Sequence, residues 1–466
     1  MRSSCYPAFE PSISRGVLRL IAVRRWSAVL FCGAVLTSGA LLRAVEPPAR
    51  TPHILLIYAD DQRWDTIRAL GNPEIHTPHL DRIVERGFHF TNAYCMGSMN
   101  PAVCTPSRTM LLTGRSLWRI PDPRAAEIPA DVVPLPTALH DAGYATWHCG
   151  KRGNSYRAAH AAFDTNIEND GRTAASATEH ADRAIEFLQQ HDGSRPFFMY
   201  LAPPVPHDPR LAPEEFIRLY DADKLSLSPN FLPEHPFDNG ELRVRDELLA
   251  PHPRTPAAMR QHLADYYATI SHLDYEVGRV LAALDDRGWT DNTFVIFSSD
   301  QGLAVGGRHG LMGKQNLYEH FKSPLVIAGP GIPHGQSAAL VYLFDLYPTI
   351  CGLADAKIPA SAAGHSLLPI VGGQQSKVRD WLLCGYRECQ RMIRDERWKL
   401  IEYRAADGRH TQLFDLAHDP DELHNLADVP KFAADRSRLT DLMRQARSDL
   451  GDPVDFAAPA AVSQAK

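Results

Sequence analysis

The run His53-Ile54-Leu55-Leu56-Ile57-Tyr58-Ala59 is apolar at nearly every position. A strand of this kind has no polar face to show to water, so it belongs inside a sheet covered on both sides. Phe294 to Phe297 repeats the pattern, and Phe88 to Tyr94, Tyr144 to Cys149, Pro196 to Leu201 and Pro324 to Ala328 read as further strands. Helical spacing fills the intervals, over Pro78 to Arg86, Leu135 to Asp141, Thr178 to His191, Pro256 to Arg287 and Asp345 to Leu353. In the longest of these, Met259, Leu263, Tyr267, Ile270, Leu273 and Val277 form one core-facing stripe. Strands alternating with helices predict an α/β fold, a large mixed, mostly parallel sheet flanked by helices.

Near residue 375 the texture changes. Trp381 to Tyr386, Arg391 to Arg394, Trp398 to Tyr403 and Thr411 to Asp415 are short strand candidates separated by turn residues, followed by a helix from Lys431 to Ser448. The organisation expected is a catalytic domain over 45–375, a small α+β subdomain of antiparallel sheet and helix over 376–450, and a loose tail over 451–466. Residues 221 to 256, rich in Pro, Asp and Glu, read as an excursion long enough to wall a pocket.

The first 44 residues read as an export signal. Arg24-Arg25 precedes an apolar run from Ser27 to Leu42, with small residues near Ala44. A membrane anchor is the alternative, although the run is short for a span. Loss of this segment removes six Arg and one Glu and takes the net charge from −6 to −11. An acidic mature chain argues against nucleic-acid binding. Six cysteines would remain, without metal-binding spacing, and Cys384 with Cys389 is one possible disulfide that sequence does not settle.

The chemistry gathers at strand ends. The first strand stops at Asp60-Asp61 and the strand Phe294 to Phe297 leads to Asp300-Gln301, while Tyr144 to Cys149 runs on to Gly150-Lys151. Strand ends are where α/β sheets bind ligands. Taken alone, the Asp60-Asp61 pair reads better as a solvated loop. Three carboxylates and an amide oxygen make a hard-oxygen set suited to Ca²⁺, and less comfortably to Mg²⁺. His207 follows the stiff segment Pro203-Pro204-Val205-Pro206, and Gly306 to Gly313 is a glycine-rich loop with Arg308 and His309 but no Walker pattern. Cys104 precedes a short helix in which Thr105 can cap, Pro106 suits the first turn and Gly114 stops the run. The helix dipole and Arg108 make that position an anion site with a nucleophile at its centre, though a lone cysteine near a helix start is more often a plain thiol.

Cys104-Thr105-Pro106-Ser107-Arg108, followed by Leu112-Thr113-Gly114-Arg115, resembles the signature of the formylglycine-dependent (type I) sulfatases of the alkaline phosphatase-like superfamily. The resemblance spans His53 to Asn425. It implies a sulfuric ester hydrolase, arylsulfatase-like, in which a maturation enzyme oxidises Cys104 to an aldehyde. One hydroxyl of the hydrated aldehyde then attacks sulfur and the other later expels sulfate. It places calcium at Asp60, Asp61, Asp300 and Gln301, and it assigns Arg108, Lys151, His207 and Lys314 to holding the nucleophile and the sulfate. The family often shows Gly-Lys-Trp-His where this chain has Gly150-Lys151-Arg152-Gly153, so a histidine is missing and His309 is the candidate to replace it.

Two alternatives stay open: a phosphoesterase or phosphonate hydrolase on the same fold, and a non-catalytic carbohydrate-binding relative. The partner expected is a sulfated small molecule or oligosaccharide, met outside the cytoplasm, with membrane contact only through an uncleaved N-terminal segment. Arg387, Arg391 and Arg394 offer either a local basic patch for such a substrate or merely a solvated strand face.

Overall fold

The computed structural model describes residues 51–456 apart from 170, 315 and 316. The expected export signal lies outside the described residues. Among those described, no helix is long and apolar enough to cross a membrane.

The strands are β1 (His53–Ala59), β2 (Phe88–Tyr94), β3 (Gly97–Ser98), β4 (Ala145–Lys151), β5 (Thr165–Asn169), β6 (Phe197–Ala202) and β7 (Thr293–Ser299). They continue as β8 (Lys322–Ser323), β9 (Leu325–Ala328), β10 (Gly335–Tyr342), β11 (Leu382–Tyr386), β12 (Gln390–Arg394), β13 (Trp398–Ala405) and β14 (Gly408–Asp415). The α-helices are α1 (Pro78–Arg86), α2 (Cys104–Thr113), α3 (Leu135–Asp141), α4 (Arg157–His160) and α5 (Ser176–Gln190). After them come α6 (Glu214–Ile217), α7 (Pro256–Asp286), α8 (Leu346–Leu353), α9 (Leu368–Val371) and α10 (Ala433–Leu450).

A nine-stranded sheet runs β10-β2-β9-β7-β1-β6-β4-β5, with β8 beside β2. Strands β7, β1, β6, β4 and β5 are mutually parallel, while β9 lies antiparallel to both β7 and β2. The sheet is therefore mixed and mostly parallel, as the alternation of strands and helices predicts. The apolar run of β1 sits at its centre. Ile54, Leu56 and Tyr58 enter one core, shared with Met110, Leu111 and Leu112 of α2, Leu135 and Leu139 of α3 and Ile350 of α8. Leu55, Ile57 and Ala59 point the opposite way, into a core with Ile83 of α1, Ala184 of α5 and Leu273 and Val277 of α7. Period-two alternation thus buries both faces of one strand.

The strands and helices of the sequence reading are all present, with end shifts of a few residues. Four strands escaped it, one of them the two-residue β8. β10 is buried and apolar only over its second half; β5 is Thr-Asn-Ile-Glu-Asn; and β3 is only two residues long. The excursion from 221 to 256 carries no sheet strand, only short 3₁₀ turns at Ala222–Lys224 and Glu247–Leu249. The tail is not loose as far as it is described: Asp452 binds Arg391 through both carboxylate oxygens, at 2.6 and 2.9 Å, and Phe456 is buried. The six described cysteines are buried and free, so Cys384 and Cys389 are not paired.

The second sheet runs β14-β13-β12-β11-β3. Its last member comes from the segment just before Cys104 and pairs parallel to β11 through Gly97–Gly385 and Ser98–Tyr386. The Tyr386 hydroxyl donates to the Pro101 carbonyl at 3.1 Å, so β11 also braces the approach to the cysteine. Gly97 has φ +114°, and a Cβ there would lie 1.8 Å from the Gly385 oxygen. Gly97→Ala is therefore expected to cost about 2–4 kcal/mol. Urea unfolding should show a lower midpoint at unchanged slope; an unchanged midpoint would mean that this contact is not rigid.

Candidate active site

The parallel strands deliver their chemistry to one edge. β1 stops where the Asp60 N–H donates to Val205 O (3.0 Å), beyond the end of β6. Asp61 then turns the chain with φ 72°, a left-handed conformation uncommon for a side-chain-bearing residue. Its N–H donates to Asp300 Oδ1 at 2.9 Å, which ties the end of β1 to the end of β7. Asp60, Asp61, Asp300, Gln301 and Cys104 are all buried.

Cys104 is the first residue of α2 and does not stand before it; Val103 occupies the capping position, and Thr105 lies inside the helix. Gly114, at φ 67°, ends the helix as expected. The Ser107 hydroxyl donates to Asp300 O (2.6 Å) and locks the helix start against the β7 end. The Cys104 sulfur faces Gln301 Nε2 at 3.1 Å, Lys314 Nζ at 3.2 Å and Asp61 Oδ1 at 3.6 Å. Burial, followed by the charge of Asp60, pushes its thiol well up, with Lys314 opposing. A thiol so held stays neutral and is a weak nucleophile as cysteine.

Four basic groups surround the carboxyls. Arg108 Nε donates to Asp300 Oδ2 (3.0 Å) and its Nη2 to Ala59 O (3.2 Å). Lys151 Nζ lies 3.3 Å from Asp60 Oδ2, and Lys314 Nζ 3.1 and 3.0 Å from the two oxygens of Asp61. His207 Nε2 is 3.7 Å from Asp61 Oδ2, while its Nδ1 lies 2.7 Å from the Asp208 carbonyl. Burial alone would raise Asp60, but Lys151, His207, Arg108 and Lys314 together hold it well below the usual carboxylate range. Asp300 is pushed up to about 7 by burial and then by Asp60, against Arg108. Burial and then Lys314 push His207 down to about 4.

The donor set fits a hard cation. Asp60 Oδ1 and Gln301 Oε1 are buried without a partner, and such acceptors are costly to leave unmet. Ligand atoms of Asp60, Asp61, Cys104 and His207 lie within 4.8 Å of one another. Asp300 is turned towards Arg108 and the N–H groups of Asp61 and Gln301. Rotating the Gln301 amide about its last bond would bring its oxygen to the Asp61 side, now held by Nε2.

Residues 52–356 match the family model "Sulfatase", and residues 307–449 match "N-sulphoglucosamine sulphohydrolase, C-terminal". The chain belongs to the sulfatase family. It is a sulfuric ester hydrolase of the alkaline phosphatase-like fold. It is 26% identical to arylsulfatase K of Xenopus laevis, over 86% of this chain and 84% of that one. It is 24% identical to an N-acetylglucosamine-6-O-sulfatase of Bacteroides thetaiotaomicron, over 91% of each. Among solved structures, an enzyme in complex with its substrate D-glucosamine-2-N,6-O-disulfate superposes with a TM-score of 0.71 at 23% identity, covering 87% of this chain and 99% of that one. A phosphonate monoester hydrolase of Agrobacterium radiobacter shares the fold too, with a TM-score of 0.73 at 22% identity, covering 86% and 96%.

Of the residues singled out in the sulfatase sequence, Asp60, Asp61, Cys104, Arg108, Lys151, His207, Asp300, Gln301 and Lys314 are brought together. His309 is not. Its Nε2 lies 2.9 Å from Glu319 Oε2 and 3.1 Å from Asn230 Nδ2, and its ring stacks on Tyr318 at 3.9 Å. The glycine-rich loop turns that imidazole towards residue 319 and away from the cysteine. The basic patch is corrected as well. Arg391 is buried against Asp452 and Arg394 donates to Tyr94 and Asn92, which leaves only Arg387 partly exposed, paired with Glu241.

Sequence reasoning missed three contributors. Asn154 Nδ2 donates to Asp60 Oδ2 at 3.2 Å, one residue beyond the glycine where the family histidine is missing. The Tyr266 hydroxyl donates to Asp61 O (2.6 Å), and Asp246 lies 3.7 Å from Lys314 Nζ. The proximity of Asn154 to the Gly-Lys string was a signal; for Tyr266, next to Tyr267 of the core stripe, there was none. Arg108→Met would leave Asp300 buried beside Asp60 without its cation. It is expected to cost about 3–5 kcal/mol, read as a lower unfolding midpoint in urea. A loss below about 1 kcal/mol would show that Asp300 is neutralised otherwise.

Proposed function

We propose that this chain is an exported sulfatase that hydrolyses a sulfate ester on a carbohydrate, with Cys104 matured to formylglycine and Ca²⁺ held by Asp60, Asp61, Asp300 and Gln301, Mg²⁺ being the lesser candidate. The observation that carries the reading is the position of the Cys104 side chain. It stands at the head of α2 within hydrogen-bonding reach of Lys314 and Gln301, beside two buried oxygens that lack partners. The names of the relatives, an N-acetylglucosamine-6-O-sulfatase among them, support a sulfated sugar as substrate.

A hydrated aldehyde at position 104 supplies a hydroxyl nucleophile towards sulfur and a second hydroxyl to release sulfate. A bound Ca²⁺ supplies charge that holds a sulfate oxygen and stabilises charge growing in the transition state. The chain's own residues do the rest. Arg108 fixes Asp300 and the end of β1. Lys314 and Lys151 present ammonium groups to the anion from two sides, while Asn154 holds Asp60 in place.

His207 takes the proton-handling part first given to His309. Its Nδ1–H donates to Asp208 O at 2.7 Å, and this leaves the Nε2 lone pair facing the site. A ring nitrogen of His207 lies within 4.8 Å of the Cys104 sulfur. An imidazole kept neutral at pH 7 can accept a proton there.

The decisive test is the mass of the peptide containing residue 104 from active protein. The aldehyde is expected, and the same peptide map should find the mature chain starting near residue 45. Unmodified thiol in fully active enzyme overturns the mechanism, and Cys104→Ala should abolish turnover with the fold retained.

A second test is removal of the metal. Exhaustive chelation should abolish sulfate release, and added Ca²⁺ should restore it. Asp300→Asn should cost about 100-fold or more in kcat, while Asp428→Asn at the surface costs little. Full activity in metal-free protein would refute the cation. Because a phosphonate monoester hydrolase shares the fold, rates on matched sulfate and phosphonate esters belong in the same experiment, and faster phosphonate cleavage would favour that chemistry.

A further inference from the structure

Arg210 lies three residues beyond His207 and is only partly buried, yet its Nε is enclosed without any acceptor. The guanidinium carbon stands 5.7 Å from the centre of the Tyr266 ring, whose hydroxyl holds the Asp61 carbonyl at 2.6 Å. Asp61, Asp246 and Asp265 are close enough to act on its charge. None of them pairs with it. Asp61 is held by Lys314, Asp246 by Arg245 at 2.8 Å, and Asp265 by Gln261 at 2.9 Å. By contrast Arg245 is matched with Asp208 and Asp246, and Arg387 with Glu241.

The enclosed Nε is out of a ligand's reach, but the Nη groups are not among the sealed atoms and make no hydrogen bond or ion pair among the described residues, and such donors suit a planar or tetrahedral anion. The scissile sulfate is not that anion, because Lys314 and Lys151 already stand beside Cys104 and Asp60. We infer that Arg210 receives a second anionic group of the substrate, a carboxylate or a further sulfate, carried on the sugar that bears the ester or on its neighbour. This rests on the sulfatase reading above and narrows its substrate class to doubly anionic saccharides.

The test uses the matured full-length enzyme and three sugars: a neutral monosulfated hexoside, the same hexoside with a second sulfate, and a monosulfated uronic acid. Wild type should favour one of the two doubly anionic sugars, and which one it favours distinguishes sulfate from carboxylate. Arg210→Gln should lower the ratio of kcat/KM on that sugar to kcat/KM on the neutral one by about 10- to 100-fold, mainly through KM. Arg210→Lys, which keeps the charge and most of the packing, should recover part of the ratio.

The inference is overturned if wild type shows no preference for either doubly anionic sugar. It is overturned too if the Gln variant loses activity equally on all three, as a merely structural role through Tyr266 would require. Sulfate release from the neutral sugar and from an aryl sulfate reports separately on the parent reading. If wild type releases sulfate from none of the three sugars nor from the aryl sulfate, the sulfatase assignment fails and Arg210 falls with it; if sulfate is released and the ratio does not move, only the assignment of Arg210 is wrong.

Discussion

The carboxyl groups of Asp60, Asp61 and Asp300 are removed from water at a single sheet edge, and the structure around them answers their mutual repulsion. Like charges 4 Å apart repel by about 4 kcal/mol at an effective dielectric near 20. Arg108, Lys151 and Lys314 offset part of this, and burial followed by the charge of Asp60 still pushes the Asp300 carboxyl up to about 7. Two oxygens remain unmet even so. A cluster of this kind is expensive to hold together, which makes it a functional centre and not an aid to folding.

The fold meets that cost by making the edge rigid. β1 is clamped between β6 and β7 and buried on both faces, so the Asp60-Asp61 turn is anchored from below. Helix α2 is locked to the same edge by Ser107 and Arg108. From the far side, β3 and Tyr386 join the second sheet to the segment that leads into Cys104. The small sheet therefore supports the position of Cys104, and a reading of the sequence as two successive domains does not anticipate that link.

Two cationic environments emerge at the site. The inner one, Lys314 and Lys151, faces the sulfur of Cys104 and the carboxyl of Asp60. The outer one, Arg210, Arg245 and Arg387, rises from three separate loops and is mostly cancelled by Asp208, Asp246 and Glu241. On the reading proposed above, the inner groups hold the ester sulfate and Arg210 of the outer set meets a second anionic group. Arg391 and Arg394, which look equivalent to Arg387 in the sequence, face inward because β12 is buried along its whole length.

What the sequence determined alone was the periodic and the local. Burial on both faces needs an unbroken apolar run, so β1 and β7 were legible; helical stripes placed α1, α3, α5 and α7; and the Cys-Thr-Pro-Ser-Arg string singled out Cys104 because five adjacent residues carry it. Strands β5 and β10 were invisible because they hold edge positions, where polar residues are tolerated. Tertiary structure decided which side chains meet. Asp61 and Asp300 are 239 residues apart in sequence, and Lys314 and Asp61 are 253 apart. No local pattern records such a distance. His207 and His309 were both plausible imidazoles, and only the course of two loops turned one towards the cysteine and stacked the other on Tyr318. The reason is physical: periodicity reports how a residue sits against its own element, while a partner across the sheet edge is fixed by how whole elements pack.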